Sequence, residues 1–414
     1  MYYDFAVVGG GAAGLVAAIS AASLGDRVII IESGNMIGKK ILASGNGRCN
    51  MMNSGRSRYF GNTGFAEEVL KRFNAESLKT FWHSLGLITT EDSENRVYPC
   101  TFQASTVIQV LKTALKIYRV ETELNSPVKE CVLVKDGGFC ISSGEKRFTA
   151  GRVLISSGGS AGRKTREEKY GYEILRRFGH TIHPLRPSLV PLTTDPVSVS
   201  GLSGIRTRCS VTLFDAHSNI LHQEEGEMLF TDSGISGICV MQCARFVKED
   251  GCYIEADLVK SIFPDDQSLL HELNCRKKQF GSLPPDMILI GMMNPKIAYA
   301  VMKQAGAAMK GEILSDLPDE FVHRVMHAIR HYRINITGTR GFDFAQVTAG
   351  GADCDEFKPD NMESRIVPGL HVAGELLDVD GDCGGFNLMF AFAGGILAGL
   401  SNRKKLSGGP VTIR

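Results

Sequence analysis

The sequence predicts an α/β chain whose first and last segments build one parallel-sheet domain, with a middle segment inserted between them. Three observations predict this. An apolar strand, Asp4 to Val8, runs directly into Gly9-Gly10-Gly11-Ala12-Ala13-Gly14 and an Ala-rich helix. A second strand, Arg27 to Ile31, ends on Glu32. Near the C-terminus the same character returns: Gly369 to Glu375 reads as a short strand ending in Gly374 and an acid, and Gly384-Gly385-Phe386-Asn387 opens an apolar helix to about Leu400.

Gly9, Gly11 and Gly14 form a G-x-G-x-x-G, with Ala13 in its turn. The first glycine allows the tight strand-to-helix turn, the second lets backbone approach a pyrophosphate, and the third brings helix against strand. Phosphate then sits on the helix's positive end. Glu32 lies about 20 residues on, where a carboxylate accepts hydrogen bonds from ribose hydroxyls and repels a 2′-phosphate. The motif alone is weak, but strand, glycines, helix, second strand and acid occur here in order, which makes the segment a Rossmann-like dinucleotide binder.

The next loop carries Lys39, Lys40, Ser44-Gly45-Asn46-Gly47, Arg48, Cys49 and Asn50. Its glycines permit close backbone approach and its cations suit a phosphate or a flavin edge, although a solvated basic loop has the same composition. Cys49 has no second cysteine nearby to make a dithiol and reads better as a packed thiol. A mostly helical stretch with Trp82 follows. Cys131 to Lys135 and Phe139 to Ser142 flank Asp136-Gly137-Gly138, and a turn at Ser143-Gly144-Glu145 leads toward a strand from Arg152 to Ser156, giving a three-stranded β-meander. Gly158, in Ser157-Gly158-Gly159-Ser160, brings backbone back toward the dinucleotide or makes a plain turn.

The inserted part runs from about Pro191 to Thr339. Thr207 to Phe214 and Ile220 to Thr231 are strand-like; Asp265 to Phe280 and Asp319 to Tyr332 are helical, with Asp265 or Asp266 as caps and Pro295 as a first-turn residue. Glu224, Glu225 and Glu227 read as a solvent-facing turn. His323, His327 and His331 share a helix face, but the arginines among them favour a solvated basic face over a metal. No Ser-His-Asp or H-E-x-x-H pattern is recognisable.

At the other end, unpaired N–H groups at the start of the C-terminal helix, from Gly385, Phe386 and Asn387, suit the negative charge of a reduced flavin, by analogy with flavoenzymes. A glycine-rich helix packed closely on the sheet is the plainer alternative. Asp380 and Asp382 shape the preceding turn. No complete second fingerprint occurs, so NAD(P)H would dock only transiently as an electron donor.

With 414 residues, 43% hydrophobic and 22% charged, the composition is that of a globular protein. Forty-six basic against 45 acidic residues leave a charge of +1, which argues against a nucleic acid partner, with the patch from Arg163 to Lys169 as a local exception. Eleven cysteines without a C-x-x-C suit a reducing cytoplasm. The start reads as lacking a leader, and no apolar run reaches the ~18 residues of a membrane span.

Taken together, the fingerprint, Gly38-Lys39-Lys40 to Asn50, Gln346-Val347-Thr348-Ala349-Gly350-Gly351, Gly374-Glu375 and Asp378 to Leu388 resemble the YhiN-type FAD-dependent oxidoreductases, also labelled aminoacetone-oxidase-like or NAD(P)/FAD-dependent oxidoreductases. The resemblance implies FAD on a Rossmann-like domain over 1–190 and 340–414. It also implies an insert at 191–339 on the substrate side, comprising a β-barrel (about 191–262 and 311–339) and a helical subdomain (about 263–310). By position it implies Glu32 at the adenosine ribose, Val128 offering backbone to adenine, and Lys39, Lys40 and Arg48 along the flavin. Glu375 would lie near the ribityl–pyrophosphate region, with Phe386 and Asn387 at the pyrimidine end. Two departures fall on the substrate side: the bulky Arg163 to Tyr170, where family members carry small residues, and Asp232 and Ile238, where histidine and proline are frequent. The expected activity is hydride transfer through flavin N5 to or from a small organic substrate, by an NAD(P)H-linked reductase or an oxygen-using amine oxidase. A flavoprotein acting on RNA and a non-catalytic redox sensor are further readings; no general acid or base is identified.

Overall fold

A computed structural model describes residues 2–134, 137–162, 170–248, 250–307 and 311–402. Asp136 of the hairpin turn and the charged run 163–169 lie outside the described residues. The chain divides into two compact units, Met1–Arg186 with Val347–Arg414, and Pro187–Gln346.

The first unit opens with β1 (Tyr2–Val8), α1 (Ala12–Ser23), β2 (Val28–Ile31) and α2 (Lys39–Ala43). β3 (Met52–Asn53), β4 (Tyr59–Gly61), α3 (Thr63–Arg72), α4 (Ala75–Ser84), β5 (Thr89–Glu91), β6 (Arg96–Pro99) and α5 (Ala104–Ile117) follow. The stretch ends with β7 (Glu121–Glu123), β8 (Glu130–Leu133), β9 (Phe139–Ser143), β10 (Lys146–Ile155) and α6 (Tyr170–Arg177). Phe5 to Val8 and Val28 to Ile31 are buried on both faces, as parallel strands covered by helices must be. The main sheet has the order β7-β2-β1-β10-β9-β8. β8 to β10 form the expected meander, but its third strand begins at Lys146, six residues before Arg152. The reason is the tight turn at Gly144 and Glu145, which pairs Ser143 directly with Lys146 and lets one long strand serve both meander and parallel sheet.

After β11 (Arg186–Ser188), the second unit contains β12 (Leu192–Thr194), α7 (Pro196–Val199), β13 (Arg206–Phe214), β14 (Ile220–Thr231), β15 (Gly234–Ser236) and α8 (Ile238–Cys243). It continues through β16 (Tyr253–Asp257), α9 (Asp266–Gln279), α10 (Pro295–Gln304), α11 (Asp319–Arg330) and β17 (Tyr332–Thr339). Its strands close an antiparallel barrel in the order β12-β15-β14-β13-β16-β17. Alternate residues Cys209, Val211, Leu213, Met228 and Phe230 fill the interior. Glu224, Glu225 and Glu227 are not in a turn. They stand in the middle of β14, opposite Val211, Ser210 and Arg208, because the 12-residue strand continues through Gly226 without a break. The Asp265 carboxylate caps α9 by accepting from Ser268 N at 2.7 Å, and Pro295 occupies the first turn of α10 behind the Asn294 cap.

The chain then returns to the first unit with β18 (Val347–Ala349), β19 (Leu370–Val372), β20 (Val379–Gly381) and α12 (Phe386–Gly399). β19 pairs in parallel with the end of β10, completing the seven-stranded sheet. α12 packs on α1 through glycines: a methyl group at Gly395 would stand 2.2 Å from Ala13 O, and one at Gly399 2.3 Å from Ala17 O. No described helix is long and apolar enough to cross a membrane.

Candidate functional site

The turn from β1 to α1 separates the roles of its glycines. A methyl at Gly9 would meet Ser156 O at 2.6 Å, and one at Gly14 would meet Gly9 O at 2.0 Å, so both are demanded by packing. Gly11 differs: a methyl there would meet nothing within 4 Å among the described residues. Gly11 is also the N-cap of α1 and supplies no side chain to its first amides, whereas α3 and α4 are capped by the Asn62 and Asn74 side chains. Open space in front of uncapped amides is what an incoming phosphate requires.

Glu32, at the end of β2, closes one side of this turn. Its carboxylate accepts from Gly10 N and Gly34 N, each at 2.7 Å, which fixes its orientation. The segment leading to Val128 runs alongside, because Ser126 N donates to Glu32 O at 2.8 Å and Asn125 N to Gly34 O at 2.9 Å. Val128 itself is buried.

On the other side, Gly374 adopts a left-handed conformation (φ 77°) and abuts Ala13, where a methyl would stand 3.3 Å from Ala13 Cβ. This places the C-terminal strand end beside the N-terminal fingerprint. The next residue, Glu375, accepts from Thr348 N at 2.9 Å and from Lys40 Nζ at 3.3 Å. Lys40 and Glu375 are thus brought together across 335 positions of sequence. Lys39 is exposed at the start of α2, as is Arg48 in the following loop. Gly158 is half-buried with φ 75°.

The start of α12 forms the far end. Gly385 (φ 102°) is its N-cap and provides no side-chain hydrogen bond. Asn50 Oδ1, buried and without a hydrogen-bond partner among the described residues, faces this turn; a methyl on Gly385 would stand 2.6 Å from it. An orphan acceptor beside uncapped amides suits a ring edge that carries both an N–H and carbonyl oxygens. Gly395, which abuts Ala13, lies nine residues along α12 from Phe386, so the two helix starts are separated by about 14 Å of helix. The residues present therefore fit an extended FAD.

Phe386 is buried, with its ring edge-on to Tyr59, and Asn387 turns its side chain away from the helix mouth. Asn387 Oδ1 accepts from Gly381 N and its Nδ2 donates to Gly381 O, both at 2.8 Å, so the side chain ties α12 to β20. Its backbone N–H remains with the first turn. Cys49 is fully buried, and burial pushes its thiol up to about 11, so it packs as a neutral group. Asp382, also buried, pairs with Arg58 Nε at 2.7 Å.

Sequence reasoning missed a hydroxyl–imidazole–carboxylate chain in the same unit. Ser364 Oγ lies 3.0 Å from His180 Nε2, and His180 Nδ1 lies 2.6 Å from Glu356 Oε2. It is a staple rather than a nucleophile: Ser364 is buried and its Oγ accepts from the amides of Ile366 and Val367 at 3.0 and 2.8 Å. The three residues lie too far apart in sequence for any local pattern to announce them. In the other unit, the His327 and His331 rings stand 4.7 Å apart, with His331 Nδ1 2.8 Å from Glu255 Oε2. Asp232 and Ile238 flank β15, and Ile238 is exposed.

Residues 3–401 match the family model of the HI0933-like protein Rossmann domain. Over 413 residues the chain is 36% identical to the 3-dehydro-bile acid delta(4,6)-reductase of Clostridium scindens, covering 95% of this chain and 97% of that protein. It is 28% identical over 414 residues to the ribosomal RNA dihydrouridine synthase of Haemophilus influenzae, covering 97% and 98%. The protein of the same name from Escherichia coli is 27% identical over 399 residues, covering 94% and 96%.

Proposed function

The chain belongs to the HI0933-like family of FAD-dependent oxidoreductases, and from that premise we propose that it reduces a carbon–carbon double bond conjugated to a carbonyl, with NADH or NADPH as electron donor. The observation that carries this reading is the chemistry shared by two full-length relatives. A steroid dienone reductase and a dihydrouridine synthase act on different molecules, yet each name describes adding two electrons and two protons to an alkene activated by a neighbouring carbonyl. Bile acids and RNA are also both anionic, so an exposed cation such as Arg48 suits either.

In this reading the chain's own groups have separate tasks. The uncapped amides behind Gly11 hold the pyrophosphate, Glu32 accepts from the ribose hydroxyls, and the Val128 segment borders adenine. Lys39, Lys40 and Arg48 border the flavin, and Gly158 and Glu375 lie toward the ribityl–pyrophosphate part. The Gly385 to Asn387 amides and Asn50 Oδ1 meet the pyrimidine edge, where the amides favour the charge of the reduced ring. When bound, FAD supplies two-electron exchange at its N5 position. We place the protein in a reducing cytoplasm, which suits its odd number of cysteines.

Anaerobic mixing of the FAD-loaded protein with NADH, and separately with NADPH, tests the reading. Rapid loss of the flavin's visible absorption is expected with one of them, followed by its recovery on adding a conjugated enone. Bleaching by neither donor removes the NAD(P)H-linked reductase. Recovery only with oxygen, in a protein reduced by a primary amine, would assign the amine oxidase instead.

A further inference from the structure

Beside the start of α12 lies a pair of partly exposed aromatic rings. Phe102 has φ 51°, a left-handed backbone that a bulky side chain rarely adopts, and the residue is 45% exposed. Burial therefore gives little in return for the strain. The Tyr98 ring centroid lies 5.5 Å from that of Phe102, at a tilt of 39°. Tyr98 is on the open face of β6: Val97 and Pro99 on either side are buried, while Arg96 and Tyr98 are half-exposed.

The pair sits close to the proposed flavin end. Met51 N donates to Val97 O at 2.8 Å, which places the chain at Met51 beside β6. Two residues on, Asn53 Nδ2 donates to Gly384 O at 3.0 Å, next to the N-cap of α12. The Tyr98 phenol also lies within electrostatic reach of Cys383 and Arg48, although burial is the main cause of its raised pKa. Strain retained at an exposed aromatic, one strand away from a cofactor seat, is characteristic of a ligand-holding surface.

We propose that Tyr98 and Phe102 form the face on which the substrate's flat conjugated ring stacks, making them specificity-determining residues. The proposal rests on the reductase reading for the nature of the ring. Offset stacking on two aromatic rings favours a planar, carbonyl-conjugated ring over a saturated one, so the same face would hold the substrate more tightly than its reduced product.

The test titrates the FAD-loaded protein with a steroid dienone carboxylate and, separately, with uridine monophosphate, following the flavin's visible difference spectrum. One of them is expected to perturb the spectrum, and which one does so distinguishes a steroid source from a nucleotide source. Phe102→Gly should weaken that binding about tenfold or more, given the usual worth of stacking. Glycine accepts φ 51° freely, so the variant should keep its fold and its FAD affinity. Wild-type binding in Phe102→Gly, or no spectral response to either compound in the wild type, overturns the proposal. The two readings fail separately. Phe102-dependent binding without NAD(P)H-driven turnover removes the reductase alone, whereas turnover with an unchanged KM in Phe102→Gly removes the stacking face alone.

Discussion

Gly11 and Gly14 stand three residues apart in one turn and should fail in different ways. At Gly11 the backbone is extended (φ −84°) and a methyl has free space, so Gly11→Ala should leave the apoprotein's stability nearly unchanged. The same methyl occupies the phosphate approach, and FAD affinity should fall about tenfold or more, or ~1.4 kcal/mol. Equal affinity in an FAD titration would remove Gly11 from the cofactor seat. Gly14→Ala instead drives a methyl to 2.0 Å from Gly9 O and should cost about 3 kcal/mol of folding stability, read by urea denaturation. His371 makes a second residue-scale prediction. It is buried in β19 with Nδ1 3.0 Å from Asn361 O, and burial lowers its pKa from 6.5 to about 4. Between those values the unfolded chain binds a proton that the folded one refuses. Stability should therefore fall as pH drops from 6.5 toward 4, by up to about 3 kcal/mol, and be insensitive to this group above 6.5. In His371→Gln the urea midpoint should decline less across that window; an identical slope would assign the acid sensitivity elsewhere.

At the scale of elements, α12 shows how one helix serves packing and binding with different residues. Gly395 and Gly399 bring its later turns against α1, while its first turn is left uncapped. The Asn387 side chain holds that first turn to β20 through two hydrogen bonds to Gly381. Asn387→Ala should cost about 2 kcal/mol of stability, because both Gly381 groups lose their partner. It should also weaken FAD binding by displacing the first-turn amides. A variant with intact stability would show that the tie is redundant. Lys40→Ala should behave differently. Its pair with Glu375 is half-exposed, so the apoprotein should lose less than about 1 kcal/mol. The helix itself was legible, because paired glycines followed by an apolar run mark a start and a buried face. What Asn387 does was not legible: its partner lies in a neighbouring strand, and a local pattern registers only that an amide stands near a helix start. β14 erred in the opposite direction. Three glutamates in four residues resemble a turn, but cross-strand pairing with β13 carries the strand straight through them.

For the whole molecule, a resident cofactor links binding to folding. FAD that binds only the folded first unit should stabilise it by about 2.7 kcal/mol at a hundredfold excess over Kd, raising the unit's melting temperature by roughly 5 °C. A calorimetric trace that does not move with added FAD would contradict the seat as a whole. The parallel-sheet fold, its meander and its dinucleotide turn were determined by the sequence alone. They depend on short-range features: strand hydrophobicity, glycine spacing and an acid a fixed distance downstream all act within about thirty residues. Only the tertiary structure decided which distant residues meet. It set Gly374 against Ala13, Lys40 on Glu375, the orphan Asn50 oxygen at the mouth of α12, and the strained Phe102 beside Tyr98. These contacts arise from the packing of elements far apart in the chain, and the packing depends on side-chain shapes meeting across an interior rather than on any order of residues along it.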